Sequence, residues 1–224
     1  MDTGLLSLIN DKFDSLTGVY ERSAMEDFAK NLLSKGIPFS MLLVDGDNFK
    51  NVNDGYGHKV GDFVITIIAD KLKKSFDGKG VVGRFGGDEF YVIMPHIVEY
   101  DEVWQACHDT FVEFETFSVP DYPAIAITIT IGVTRSSEDG TDFDVLFEKA
   151  DKALYRGKQK GRSCFIIYLD AKHRNIKVLS SDSPVSNSMQ MHNTIFSMFT
   201  KSKNLRESIS YLLQFFTTTL MIDH

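Results

Sequence analysis

The sequence predicts an α/β sandwich, a central mixed β-sheet flanked by helices. Three observations carry that expectation. Helical and strand periodicities alternate along roughly the first 170 residues. Two short apolar strands, residues 81–85 and 90–94, are joined across Gly86-Gly87-Asp88-Glu89, which reads as a β-hairpin because glycine supplies the positive φ such turns need. A hairpin inside an alternating pattern makes the sheet mixed rather than purely parallel. With 43% hydrophobic and 12% aromatic residues, the chain of 224 residues has enough apolar mass for a core.

Residues 1–12 are expected as a short helical lead-in. Residues 22–33 place Met25, Phe28, Ala29, Leu32 and Leu33 at helical spacing and stop at Gly36-Ile37-Pro38. Residues 39–44 are a continuous apolar run between turn signals, hence a buried strand. Residues 45–61 are polar and rich in glycine, so they are expected mainly as loop. Helical spacing resumes over 62–76 through Val64, Ile65, Ile68 and Leu72. After the hairpin, 102–117 carries Val103, Trp104, Cys107, Phe111 and Phe114 on a helix. Residues 124–133 alternate Ile and Thr with the period of two of a half-buried strand. A helix over 143–158 and a strand over 164–168 close the pattern. The chain then turns serine-rich between Ser180 and Ser188, which places a linker over 171–190. Residues 191–224 regain an apolar helical pattern through Ile195, Phe199, Leu205, Ile209, Leu212 and Phe216. That segment reads as a docked helix, a dimer contact, or the opening of a further domain.

A net charge of −7 argues against general attraction to nucleic acid or to a membrane surface. Any phosphate-bearing ligand therefore needs a metal and a few local cations. Cys107 and Cys164 lie far apart without metal-ligand spacing and read as reduced thiols. No apolar run is long enough to span a bilayer, and no signal core follows a basic N-terminus, so a cytoplasmic location is expected.

The chemistry sits in two acidic clusters. Asp88 and Glu89 are adjacent at the hairpin tip, where their repulsion calls for a cation; a solvated turn is the plainer alternative. Asp45 ends the first core strand and opens Asp45-Gly46-Asp47-Asn48-Phe49-Lys50. An EF-hand fails here because Phe49 and Tyr56 fall on ligand positions. A phosphate-binding P-loop fails because no Gly-Lys-Ser/Thr follows a glycine run. The glycines from Gly55 to Gly61 sit too far past their strand for a dinucleotide fingerprint. What survives is a two-carboxylate site, Asp45 with Asp88, of the kind that phosphoryl transfer uses with Mg²⁺.

Four blocks then resemble the GGDEF-domain diguanylate cyclases, in that family's order and spacing. They are Asp14-x-Leu16-Thr17-Gly18 with Arg22, Asp45 through Asp62, Arg84-Phe85-Gly86-Gly87-Asp88-Glu89-Phe90, and Ala150-Asp151-Lys152-Ala153-Leu154-Tyr155 leading to Lys158 and Gly161-Arg162. The resemblance covers residues 13–170 as a catalytic domain with a nucleotidyl-cyclase or polymerase-palm-like sandwich. It implies condensation of two GTP molecules into cyclic di-GMP, with loss of two pyrophosphates, across a homodimer. It implies Mg²⁺ as cofactor, two ions, with Mn²⁺ as the alternative. Asp45, Asp88 and Glu89 would be the catalytic carboxylates, and Gly46 would add its carbonyl to the metal ligands. Glu89 would assist deprotonation of the ribose 3′-hydroxyl or hold a second ion. Asn53 and Asp62 would read the guanine edge, Asp62 accepting from N1–H and the exocyclic amine, which favours guanine over mixed-nucleotide relatives. Lys158, Arg162 and backbone N–H groups at Asn48 and Phe49 would hold phosphates.

Plainer readings stand beside these. Lys158 and Arg162 also fit a basic helix end, and Asn53 and Asp62 also fit caps. Asp14 and Arg22 read as holding the N-terminal turn, by pairing with each other. The family's inhibitory product site, Arg-x-x-Asp, falls here on Asp77 and Gly80 and is expected to be absent. About a dozen residues precede the first block, so an input domain is expected after Ser180, with residues 191–224 similar to the first helix of a GAF-type sensor. The competing function is a GTP-binding module without turnover.

Overall fold

The computed structural model describes residues 3–115, 118–176 and 178. Two compact units divide the chain, Met1–Lys177 and Val178–His224, and the description below concerns the first. The segment 191–224 and most of 171–190 lie outside the described residues.

In chain order the elements are α1 (Thr3–Leu6), β1 (Tyr20–Glu21), α2 (Arg22–Ser34), β2 (Phe39–Gly46), α3 (Phe49–Tyr56) and α4 (His58–Ser75). The hairpin β3 (Val81–Gly86) and β4 (Glu89–Pro95) follows, then α5 (Tyr100–Glu115) and a small ribbon, β5 (Ser118–Val119) with β6 (Tyr122–Ala126). Last come β7 (Ile129–Arg135), α6 (Phe143–Gln159), β8 (Cys164–Ile167) and α7 (Asp170–His173). Six strands form one sheet in the order β1-β3-β4-β2-β7-β8. Its edge pairs β1·β3 and β7·β8 are parallel and its centre is antiparallel, so the mixed sheet expected from the hairpin is present.

The central strand β2 is buried along its whole length, which is why its sequence reads as an unbroken apolar run. Leu42 and Val44 enter a core with Val64, Ile68, Phe90 and Ile131, beneath α4 and α5. Met41 and Leu43 enter a second core with Phe28, Leu32, Tyr91 and Leu154, beneath α2 and α6. The sheet is therefore the middle layer of three.

Three elements differ from the sequence expectation. The polar stretch 45–61 is not mainly loop: it holds the last two residues of β2, all of α3 and the start of α4. Only Phe49 and Val52 of α3 are buried, too few apolar positions to reveal a helix by periodicity. Gly57, at φ 85°, breaks α3 from α4, so α4 begins at His58 and Asp62 lies inside it rather than capping it. The single strand expected over 124–133 is two, β6 and β7, although Ile125, Ile127, Ile129 and Ile131 all stay buried through the break. The helical lead-in shrinks to α1, and β1 is an added edge pair.

Candidate active site

Asp45 is placed by register. It is the penultimate residue of β2, opposite Glu89 of β4 on one side and Thr130 of β7 on the other. The hairpin turn lies alongside, with the Gly46 N–H donating to the Asp88 carbonyl at 3.1 Å. Gly87 adopts φ 54° at the turn, a conformation glycine takes without steric cost. A side chain at Gly46 would meet Asp88, since an added Cβ lies 3.4 Å from the Asp88 Cβ and 3.5 Å from its Oδ2. Asp45, Asp88 and Glu89 thus share one end of the sheet.

The facing wall is α6. Two glycines let it sit directly on β7: a Cβ at Gly132 would fall 2.2 Å from the Ala150 carbonyl oxygen, and one at Gly157 would fall 2.6 Å from Thr130 Cγ2. This close approach carries Lys158 into the carboxylates, where its Nζ donates to Asp45 Oδ2 at 2.6 Å. Burial raises the Asp45 carboxyl above its usual range, against the opposing pull of Lys158. Burial first, and the Asp45 charge next, push Asp88 up to about 6. Glu89 is raised for the same two reasons. Asp151 is raised by burial as well, and lines a cavity of about 230 Å³ with Leu43, Phe85, Glu89, Phe147 and Leu154.

Asp47 does something else. It is 2% exposed and accepts from the Thr130 hydroxyl at 2.6 Å, the Thr128 hydroxyl at 2.8 Å and the Ser163 N–H at 2.9 Å. Its own N–H donates to the Thr128 carbonyl at 2.9 Å, which is where β7 parts from β6. Arg162 and Ser163 hold φ 68° and 48°, uncommon for residues with a Cβ, so the loop after α6 relies on the Asp47 anchor. That anchor keeps Arg162 close enough to Asp45 for its charge to bear on the carboxylate.

Asn48 precedes α3 in the left-handed region, at φ 57°, and leaves the first N–H groups of the helix without a side-chain cap. Phe49 itself is buried. Asn53 packs against the bare Cα of Gly61, where a Cβ would fall 2.0 Å from its Oδ1, and exposed Asp62 is the next residue. The structure therefore sets Asn53 against the residue just before Asp62, and places Asp45, Asp88, Glu89 and Lys158 at one end of the sheet.

Two residues of the first block pair differently from the expectation. Asp14 does not pair with Arg22. It accepts from Arg84 Nη1 at 3.1 Å and from the Thr17 hydroxyl and N–H at 2.7 and 2.9 Å. Arg84 also donates through Nε and Nη2 to the Gly87 carbonyl at 3.0 and 2.8 Å, so it braces the hairpin turn against the N-terminal turn. Arg22 instead binds Glu26 at 2.7 Å and lies 4.1 Å over the Phe85 ring. Phe85 is the extra residue of a β-bulge between Arg84 and Gly86.

The model of the family "Diguanylate cyclase, GGDEF domain" matches residues 11–164. The chain belongs to that family. The probable diguanylate cyclase DgcC of Escherichia coli K12 is 32% identical over 154 residues, covering 67% of this chain and 41% of the relative. The diguanylate cyclase DgcS of Shewanella oneidensis is 32% identical over 161 residues, 68% of this chain and 51% of the relative. The chain thus spans about half the length of these relatives or less. Among solved structures, the coiled coil and GGDEF domain of DgcB from Caulobacter crescentus, in complex with c-di-GMP, superposes with a TM-score of 0.62 at 26% identity, over 69% of this chain and 84% of that one. The GGDEF domain of TpbB (YfiN) from Pseudomonas aeruginosa gives a TM-score of 0.64 at 24% identity, over 70% and 95%, a likeness of fold. No described helix of this GGDEF-family chain is long and apolar enough to cross a membrane.

The donor set suits a hard cation. Among the described residues no three His, Cys, Asp or Glu side chains converge on one point. Mg²⁺ is commonly held by one or two carboxylates, with substrate phosphates and water completing its shell, and Asp45 with Asp88 offers that number. Burial and, after it, the like charges of Asp45 and Glu89 raise Asp88, and a divalent ion would relieve both.

Sequence reasoning gave no role to Asp47, Arg84, Gly132 or Gly157. The Ile/Thr alternation held a signal for the first: Thr128 and Thr130 are its polar face, and that face meets Asp47.

Proposed function

We propose that this GGDEF-family protein is a diguanylate cyclase, joining two GTP molecules into cyclic di-GMP with release of two pyrophosphates. The observation that carries this reading is the placement of Asp45, Asp88 and Glu89 at one end of the sheet, all three raised first by burial, with Lys158 paired to Asp45 and the Arg162 charge bearing on it. Asp45 and Asp88, with the Gly46 carbonyl, would hold Mg²⁺ (two ions, or Mn²⁺ in its place) together with Glu89. Divalent ions at such a site neutralise triphosphate charge and stabilise attacking and leaving oxygens. Lys158, Arg162 and the open N–H groups at Asn48 and Phe49 grip the phosphates. Asn53 and Asp62 select guanine, because a carboxylate pairs with its N1–H and exocyclic amine. Glu89, raised towards neutrality, is suited to exchanging a proton with the ribose 3′-hydroxyl that attacks the α-phosphorus. One domain offers one such site, so a homodimer with facing sites supplies the second GTP.

Product feedback through the position of Asp77 and Gly80 is absent in this reading. Gly80 leaves no room for a side chain, since a Cβ there would fall 2.6 Å from the Ile93 carbonyl oxygen.

Incubation with GTP and Mg²⁺, followed by chromatography, tests the proposal. The expected product is cyclic di-GMP, with specific activity rising as protein concentration drives pairing. GTP bound but unconsumed at high protein concentration would point to the non-catalytic module, and no GTP binding would end both readings.

A further inference from the structure

Lys158 is assigned above to nucleotide phosphates, yet in the structure its ammonium already has a partner. It donates to Asp45 Oδ2 at 2.6 Å, with the two side chains only 29% and 13% exposed. Its charge also bears on Asp88, Glu89 and Asp151, so it is the main cation at the acidic end of the sheet, with Arg162 and Arg22 adding smaller pulls on Asp45 and Glu89. The backbone beneath it is fixed, because Gly132 and Gly157 seat α6 on β7 without slack. Only the flexible four-carbon stem of Lys158 can move. A divalent ion on Asp45 would stand beside this ammonium as a like charge in a partly buried place, and the two repel.

We propose that Lys158 is a built-in counter-ion of Asp45: it weakens binding of a bare divalent cation and gives way when the cation arrives with nucleotide phosphates, whose oxygens take over the ammonium. The inference rests on the function proposed above. It makes binding of metal and nucleotide mutually dependent through one side chain. It also makes the lysine's two roles separable, since removing it should help one ligand and harm the other.

The test is Mn²⁺ binding to the full chain without nucleotide, read from the electron paramagnetic resonance of free Mn²⁺. Lys158→Met and Lys158→Gln are expected to bind Mn²⁺ alone roughly tenfold or more tightly than the wild type, the scale of losing one neighbouring charge. Lys158→Arg, which keeps the charge, should bind it as weakly as the wild type. The two neutral variants should bind a GTP analogue with a methylene between the α- and β-phosphorus, in Mg²⁺, more weakly. Unchanged or weaker Mn²⁺ binding in both neutral variants overturns the counter-ion role, even if the analogue still binds the wild type. Loss of circular-dichroism helicity in both would make the lysine structural and overturn it too. Failure of the wild type to bind the analogue with Mg²⁺ would instead remove the proposed function, while the Mn²⁺ comparison still reads the pair.

Discussion

Two pairs of acidic residues occupy this domain, and they are treated in opposite ways. Asp14 and Asp47 are saturated: the first accepts from a guanidinium, a hydroxyl and a backbone N–H, the second from two hydroxyls and a backbone N–H. Asp45 and Asp88 are left short. Asp45 accepts from the Lys158 ammonium, and Asp88 is raised by burial and by Asp45 itself. For Asp14, burial pushes the carboxyl up, but the bonds from Thr17 and Arg84 outweigh it and the net shift is down. Carboxylates that build the fold have their desolvation offset within the chain. Those at the strand end and hairpin tip keep theirs, and an incoming cation is what can offset it.

The contrast is broken most sharply at Asp88. Asp88→Ala is expected to lower cyclic di-GMP formation by roughly a thousandfold or more, the scale of removing a principal electrostatic element of a phosphoryl-transfer site. The fold should persist, and metal-free Asp88→Asn should melt no lower than the wild type, because it removes a repulsion. A fall of many degrees in that variant, or activity near the wild type in the alanine one, would place Asp88 with the structural carboxylates. Asp47→Ala is the mirror experiment. It strands the buried Thr130 hydroxyl, the half-buried Thr128 hydroxyl and the N–H of a strained loop, so urea unfolding should show a loss of about 3 kcal/mol, from the cost of polar groups left unpaired. Loss of activity without loss of stability would move Asp47 to the other class.

Next in size is the brace on the hairpin. Arg84→Met should cost about 1–2 kcal/mol in urea unfolding, a charge-assisted bond's worth of stability. It should also reduce turnover several-fold without abolishing it, because the Gly87 carbonyl loses both of its guanidinium donors. Arg84→Lys should recover part of each, since a lysine cannot span Asp14 and Gly87 with a planar fork. A brace that served structure alone would leave turnover of the folded variant unchanged.

How much of this was legible beforehand follows from where the signals lie. The buried strand 39–44, the hairpin and the helices beginning at Arg22 and Phe143 announce themselves, because apolar period and glycine turn chemistry are local. Helix α3 does not, for its two buried residues sit among polar ones and its end is set by one glycine. Asp45 and Asp88 could be assigned to one site by motif, but the pairing of Lys158 with Asp45 could not, since it depends on glycine-mediated seating of α6 on β7. The structural role of Asp47 and the Arg84 partner of Asp14 were invisible for a similar reason. Thr130 lies 83 residues from Asp47, and Arg84 lies 70 residues from Asp14.

The smallest effect is on pH dependence, and its sign separates the two groups. A carboxyl raised in the folded state holds a proton that the unfolded chain has already released, so stability falls as pH rises through that window. For Asp88 the window runs from 3.8 in the unfolded chain to about 6 in the folded one, set first by burial, then by the charges of Asp45 and Glu89, against the pull of Lys158. Asp14, shifted down, works the other way: its contribution is present above 3.8 and is lost as pH falls through its lower folded value. Urea unfolding of metal-free wild type and Asp88→Asn at pH 4, 5, 6 and 7 isolates the first term. The wild type should lose ground to the variant between pH 4 and 6, then run parallel to it. Addition of Mg²⁺ with the methylene GTP analogue should shrink the gap, because the neutral variant lacks the charge that the cation rewards. A gap independent of pH would mean that Asp88 is as well satisfied as Asp14, and the division between structural and uncompensated carboxylates would fail at its central residue.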